Sequence, residues 1–205
     1  MNSPIDNSEL LRDFLNFESD DDFYFLQVMR RGKDNTDMNC NNVVLATHFV
    51  KSLSHFDKLL PEVFRMCDAF NARAYLNLNK RSFKKCALKS LELLAATIAK
   101  EEYCGAKKCF TSAAGSTRGN GEKLWVLDVD DDDVKALEHI LETLKECAPF
   151  DCEKVKLKIP TKNGFHLITT PFNLHEFKTK LNFNLEVHKN NPTLLYAPCN
   201  SRLQT

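Results

Sequence analysis

The sequence predicts an α+β fold, and three observations carry that expectation. Helix-period and strand-period segments mix along the chain without the strict alternation that builds a doubly wound parallel sheet. Asn163-Gly164 sits between two short strand-like runs, the pairing that closes a tight antiparallel hairpin. Two amphipathic segments, Phe83–Lys100 and Val134–Leu144, can lay an apolar stripe on a sheet. With 205 residues, the chain has the length of one domain with an appendage. We expect an acidic N-terminal segment over residues 1–22 and a single α+β domain over 23–205, including a smaller N-terminal α/β portion.

The elements follow in order. Residues 1–22 hold seven acids and one base, with a short helix expected around Leu10–Phe17. Phe23–Met29 and Val43–Val50 are rich in β-branched and aromatic residues and read as strands, separated by a polar loop over Arg30–Asn42. A helix is expected over Phe56–Phe70, with Pro61 near its first turn. Ala72–Leu78 alternates like a half-buried strand. Ser82 has the character of an N-cap. Phe83, Ala87, Leu88, Leu91, Leu94, Ala95 and Ile98 then form a helical stripe. Cys104–Gly121 is loop-like, with glycines at 105, 115, 119 and 121. Leu124–Val129 is a buried strand, and Val134, Leu137, Ile140, Leu141 and Leu144 mark a second amphipathic helix. Val155–Ile159 and Phe165–Thr169 flank the hairpin turn. Asn173 and Glu176 have capping-box spacing before a helix to Lys180. Leu185–His188 and Thr193–Ala197 are the last strands.

Composition excludes several classes. The 28 basic and 28 acidic residues cancel, 43% of residues are apolar, and six Gly with seven Pro are too few for a disordered chain. No apolar run reaches membrane-spanning length, so no membrane partner is expected. The acidic start is unlike a secretory or transit leader, which makes the cytoplasm the expected location. The eight cysteines are then expected to be reduced. Cys104/Cys109 and Cys147/Cys152 share a spacing that a zinc site could use. Cys147 falls on an apolar stripe, so we read core thiols rather than structural zinc. There is no Gly-x-Ser-x-Gly and no phosphate-binding Gly-x-x-x-x-Gly-Lys loop.

Net neutrality hides strong segregation. Residues 69–91 carry Arg73, Lys80, Arg81, Lys84, Lys85 and Lys89 and no acid, whereas 128–133 hold five aspartates. A basic wall beside an acidic pocket could hold phosphates against metal ions. Asp128 and Asp130 lie two apart at the end of a strand, so both carboxylates share a face, and a hard divalent cation would relieve their repulsion. Asp131–Asp133 fit the acidic N-terminus of the following helix. His166 follows the Asn-Gly turn, with Lys162 beside it, and the pair could grip a triphosphate. Glu186 shares a strand face with His188 and could complete the metal site. Arg73 and Tyr75 share a face ahead of Lys80, Arg81, Lys84 and Lys85, a pattern suited to tracking and stacking single-stranded nucleic acid.

In this order the segments resemble the archaeo-eukaryotic primase and primase-polymerase superfamily. Leu127-Asp128-Val129-Asp130 is similar to its hydrophobic-Asp-hydrophobic-Asp motif. Gly164-Phe165-His166 is similar to its small-x-His motif, and Leu185-Glu186 to its hydrophobic-acid motif, where the usual acid is Asp. The resemblance covers roughly residues 120–200. It implies an RRM-like mixed or antiparallel sheet with helices packed on one face. It further implies a nucleotidyltransferase using two Mg²⁺ or Mn²⁺ ions on Asp128, Asp130 and Glu186, with Lys162, Gly164 and His166 on the nucleotide. The implied partners are nucleoside triphosphates, single-stranded or primed nucleic acid and a replication protein, in a DNA replication setting. The alternatives are a catalytically inactive nucleic-acid-binding or scaffold protein of the same fold and, more remotely, a phosphatase of the haloacid dehalogenase type.

Overall fold

The computed structural model describes residues 3–35, 42–130, 134–181 and 183–199. In chain order these form β1 (Ile5–Asp6), α1 (Ser8–Phe14), β2 (Asp22–Arg30), β3 (Val43–Val50), α2 (Leu53–Phe70), β4 (Arg73–Ser82), α3 (Phe83–Ala99) and α4 (Cys109–Ser116). There follow β5 (Trp125–Val129), α5 (Val134–Lys145), β6 (Val155–Pro160), β7 (Phe165–Thr169), α6 (Leu174–Lys180), β8 (Glu186–His188) and β9 (Thr193–Ala197). The protein is mixed α+β, with two antiparallel sheets and six α-helices among the described residues. None of these helices is long and apolar enough to cross a membrane.

The first sheet has five strands in the order β1-β9-β4-β2-β3, and the second has four in the order β6-β7-β5-β8. The second sheet is threaded β5-α5-β6-β7-α6-β8, with β7 lying between β5 and β6. This is a split β-α-β arrangement. Its strands alternate as the pleat requires. Leu127, Val129, Phe165 and Leu167 are buried against Ile140 and Leu144 of α5 and Phe177 of α6. A second cluster joins Leu26, Leu76, Phe56 and Val63 to Val126, Ile159 and Ile168, so the two sheets share a core.

Several expectations change. The N-terminal portion is not the smaller one: residues 5–116 supply four strands of the five-stranded sheet and four of the six described α-helices, and β9 from the C-terminal end completes that sheet. The acidic start belongs to it: Ile5 pairs with Ala197, and Leu11 and Leu15 are buried. The first helix runs over Ser8–Phe14 rather than Leu10–Phe17. α2 starts at Leu53, because Ser52 caps it by accepting from the His55 N–H, which leaves Pro61 in the interior of the helix. β4 continues past Leu78 to Ser82, whose hydroxyl then accepts from the Lys85 N–H and opens α3 as the N-cap. The loop-like stretch after Cys104 contains α4, formed because Cys109, Ala113 and Ala114 have a site to fill beside α3. Asn173 caps α6, but Glu176 reaches to the Ala148 N–H instead of closing a capping box. The stripe expected on α3 is largely exposed at Leu88, Leu91 and Ile98. Asp131–Asp133 lie outside the described residues.

Candidate functional site

β5 organises the site. One face of the strand is apolar and packs on α5 and α6. The other carries Val126 and then Asp128. β7 and β8 flank β5, and the register sets Asp128 opposite His166 on one side and opposite Glu186 on the other. Directly opposed residues share a face, with Cβ atoms about 4.5–5.5 Å apart. Val126 pairs with His188 on that same face. Asp130 lies one step beyond the end of β5 and lines the same cleft.

Hydrogen bonds orient these groups. His166 Nε2 stands 3.3 Å from Asp128 Oδ1, and its Nδ1 stands 2.8 Å from the hydroxyl of the buried Thr193. A carboxylate only accepts, so Nε2 carries the proton, and in the neutral ring Nδ1 accepts from Thr193. His188 Nε2 lies 3.1 Å from Glu186 Oε2. The hydrogen bond from His166 holds the Asp128 carboxyl below the usual aspartate range, against the opposing effect of burial; His166, His188 and Lys33 add favourable charge.

The sign follows from that depression. Asp128 contributes stability above the ordinary aspartate range, and the contribution is lost as pH falls through its lower folded value. His166→Ala should therefore bring the Asp128 carboxyl back up toward that range. A ¹³C titration of the side-chain carboxyl measures this; an unchanged midpoint would show that His166 is not its dominant partner.

The facing wall comes from the first sheet and the turn after β2. Gly32–Asp34 is one 3₁₀ turn, anchored by Asn35, whose side chain donates to the carbonyls of Arg31 and Asn71. Asp34 is held 2.6 Å from Arg73 Nη2 and 3.9 Å from Lys162 Nζ. Arg31 donates to the Tyr75 hydroxyl at 3.1 Å. The cleft between the two walls has a volume of about 600 Å³. Arg31, Lys33 and Arg73 face the carboxylates of Asp128, Asp130 and Glu186 across it, and Lys162 lines it from the hairpin between β6 and β7.

Gly164 explains how the hairpin reaches the strand end. A Cβ there would fall on the Val129 carbonyl oxygen and stand 3.0 Å from its carbon. Only glycine allows this close approach, which sets Lys162 and Asn163 on the rim of the cleft.

Asp128, Asp130, Glu186, His166, Lys162, Arg73 and Tyr75 thus meet around one cleft. Lys80, Arg81, Lys84 and Lys85 do not. Lys80 is buried, with Nζ 3.2 Å from Asp22 and 3.3 Å from Glu18. Arg81 is fully buried, its Nη2 donating to Asn190 Oδ1 at 2.9 Å, and burial pulls the guanidinium down to about 10. Lys84 and Lys85 are exposed on α3. Tyr75 is packed with Leu194 and Ala197 rather than displayed as an open stacking platform. The zinc-spaced cysteines separate in burial: Cys109 and Cys147 are buried, whereas Cys104 and Cys152 are exposed.

The sequence reading missed Arg31, Lys33, Asp34 and Thr193. The available signal was the charge cluster Arg30-Arg31-Gly32-Lys33-Asp34 directly after a strand, where a turn presents side chains at a sheet end. Among the described residues, no group of three or more His, Cys, Asp or Glu side chains is gathered as a metal cage. No family model, curated protein or solved structure matches the chain.

Proposed function

We propose that the chain is a metal-dependent nucleotidyltransferase of primase-polymerase type, joining nucleotides on a nucleic-acid template. One observation carries this reading: Asp128 lies in register between His166 and Glu186, with Asp130 two residues on. Two carboxylates directly opposed on one face repel each other, and a divalent cation relieves that cost. Their oxygen donors suit Mg²⁺ or Mn²⁺. Asp128 now faces His166 and Glu186 faces His188, so ligation requires both acids to rotate from these partners. Divalent ions there would activate an attacking 3′-hydroxyl and offset charge at the α-phosphate.

The chain's own residues supply the rest. Lys33 and Arg73 from the facing wall and Lys162 from the hairpin between β6 and β7 offer charge to the β- and γ-phosphates. His166, fixed by Thr193, donates from Nε2 once Asp128 turns away. The antiparallel split β-α-β sheet with α5 and α6 on one face supports the RRM-like architecture that the resemblance implies.

A second reading has its own support. Each carboxylate already has an imidazole nitrogen beside it, at 3.3 Å for Asp128 and 3.1 Å for Glu186. This arrangement fits a catalytically inactive nucleic-acid-binding or scaffold protein. The haloacid dehalogenase alternative loses support, since it needs a parallel sheet and the pairs in both sheets here are antiparallel.

Labelled nucleoside triphosphates, a primed template and Mn²⁺ distinguish the readings. Incorporation by the wild type that disappears in Asp128→Ala/Asp130→Ala supports the enzyme. Template binding without incorporation supports the inactive form.

A further inference from the structure

Helix α3 has two apolar faces, and the fold covers one. Phe83 and Cys86 pack with Ala114 and Phe110, and Thr97 lies against Gly105. The other face carries Leu88, Leu91, Ala95 and Ile98. Leu88 is 60% exposed, Leu91 63% and Ile98 51%. Their spacing of three, four and three residues is that of the a and d positions of a helix-pairing seam.

Charge selects the occupant and its direction. Lys84 and Lys85 stand exposed at the N-terminal end of α3, where they oppose the helix dipole; Asp21 lies beside Lys84, and Lys85 Nζ donates to Asn120. Lys100, Glu101 and Glu102 stand exposed at and just past its C-terminal end, where the acids outnumber the base. A second α3 laid antiparallel puts Lys84 and Lys85 of each copy beside Glu101 and Glu102 of the other. The same alignment sets Leu88 against Ile98 and the large Leu91 against the small Ala95. A parallel alignment would bring the four lysines together. Lys89 and Glu92 already pair within the helix at 2.7 Å and are not needed.

We propose that the chain self-associates as a two-fold dimer through α3, the two helices antiparallel. Lys84 and Lys85 at the start of α3 then also face the acids and the C-terminal dipole of the other copy. The proposal is independent of nucleotidyl transfer.

Sedimentation equilibrium over a concentration series tests it. The wild type is expected to move from 23.5 kDa toward twice that mass. Leu91→Glu, at an exposed position, should keep the monomer's circular dichroism and weaken association by about tenfold or more. Lys84→Glu/Lys85→Glu should also weaken it, and adding Glu101→Lys/Glu102→Lys to that variant should restore it. A wild type that stays monomeric throughout overturns the proposal and leaves the seam to a different protein. A dimer indifferent to Leu91→Glu overturns it as well, and a quadruple variant no tighter than the double overturns the antiparallel alignment.

Discussion

Asp128→Asn is expected to lower nucleotide incorporation by about 10³-fold or more, the loss that follows when a metal-binding acid worth several kcal/mol is removed. The substitution is nearly isosteric and keeps an oxygen that accepts from His166 Nε2, now 3.3 Å from Asp128 Oδ1. The His166–Thr193 bond is untouched. Removing one of two opposed carboxylates also relieves repulsion against Glu186. Lost hydrogen-bond strength and relieved repulsion oppose each other, so the net stability change should stay within about 1 kcal/mol. The signature is therefore a collapse of activity at an almost unchanged melting temperature. Thermal unfolding measured beside primer extension checks it. Activity surviving within a few-fold would remove Asp128 from the chemistry.

Gly164→Ala should act in the opposite way, through the fold. The added methyl falls on the Val129 carbonyl oxygen, a backbone atom that no rotamer change can move aside, and 3.1 Å from the Asp130 carbonyl carbon. The hairpin must back away from the end of β5. That separates Phe165 from Val129 and disturbs the next pair, His166 with Asp128. Overpacking of this kind costs about 1–3 kcal/mol, and the lost strand pairing adds to it. We expect a denaturation midpoint lower by an amount in the upper part of that range. In ¹⁵N spectra the shifts should concentrate on β5 and β7 and spare α2 and α3. A variant as stable as the wild type would mean that the hairpin does not press on β5 as described.

The same glycine shows why parts of the molecule could be read from sequence. An Asn-Gly pair between two strand-like runs made the hairpin visible. The loop, however, runs over residues 161–164 without a positive φ at Asn163 or Gly164, so the glycine serves the close approach to Val129 rather than a two-residue turn. Period-two alternation likewise put Asp128 on the cleft face of its strand, though Asp130 lies one step past the strand's end, and β3 and β9 run over the ranges expected for them. What alternation cannot supply is lateral order. That β8 rather than β6 lies beside β5, bringing Glu186 opposite Asp128, depends on a contact across nearly 60 residues. The cationic wall was hidden for the same reason. Lys33 and Asp34 sit in an aperiodic turn, and only the packing of β4 beside β2 brings Arg73 to Asp34. Arg81 shows the converse error. A basic run reads as surface, yet the Arg81 guanidinium is buried against Asn190, a partner more than 100 positions away. On α3 the periodicity revealed which residues are apolar, but not which of its two apolar faces the fold would cover.

The central claim is that Asp128 and Glu186, opposed across two strands, form a divalent-cation site in the cleft. Equilibrium Mn²⁺ binding, read from the electron paramagnetic resonance signal of the free ion, tests it most directly. The wild type should take up Mn²⁺ saturably and more tightly when a nucleoside triphosphate is present, and Asp128→Asn/Glu186→Gln should lose that uptake. Equal uptake by the two proteins, with or without nucleotide, would contradict the claim.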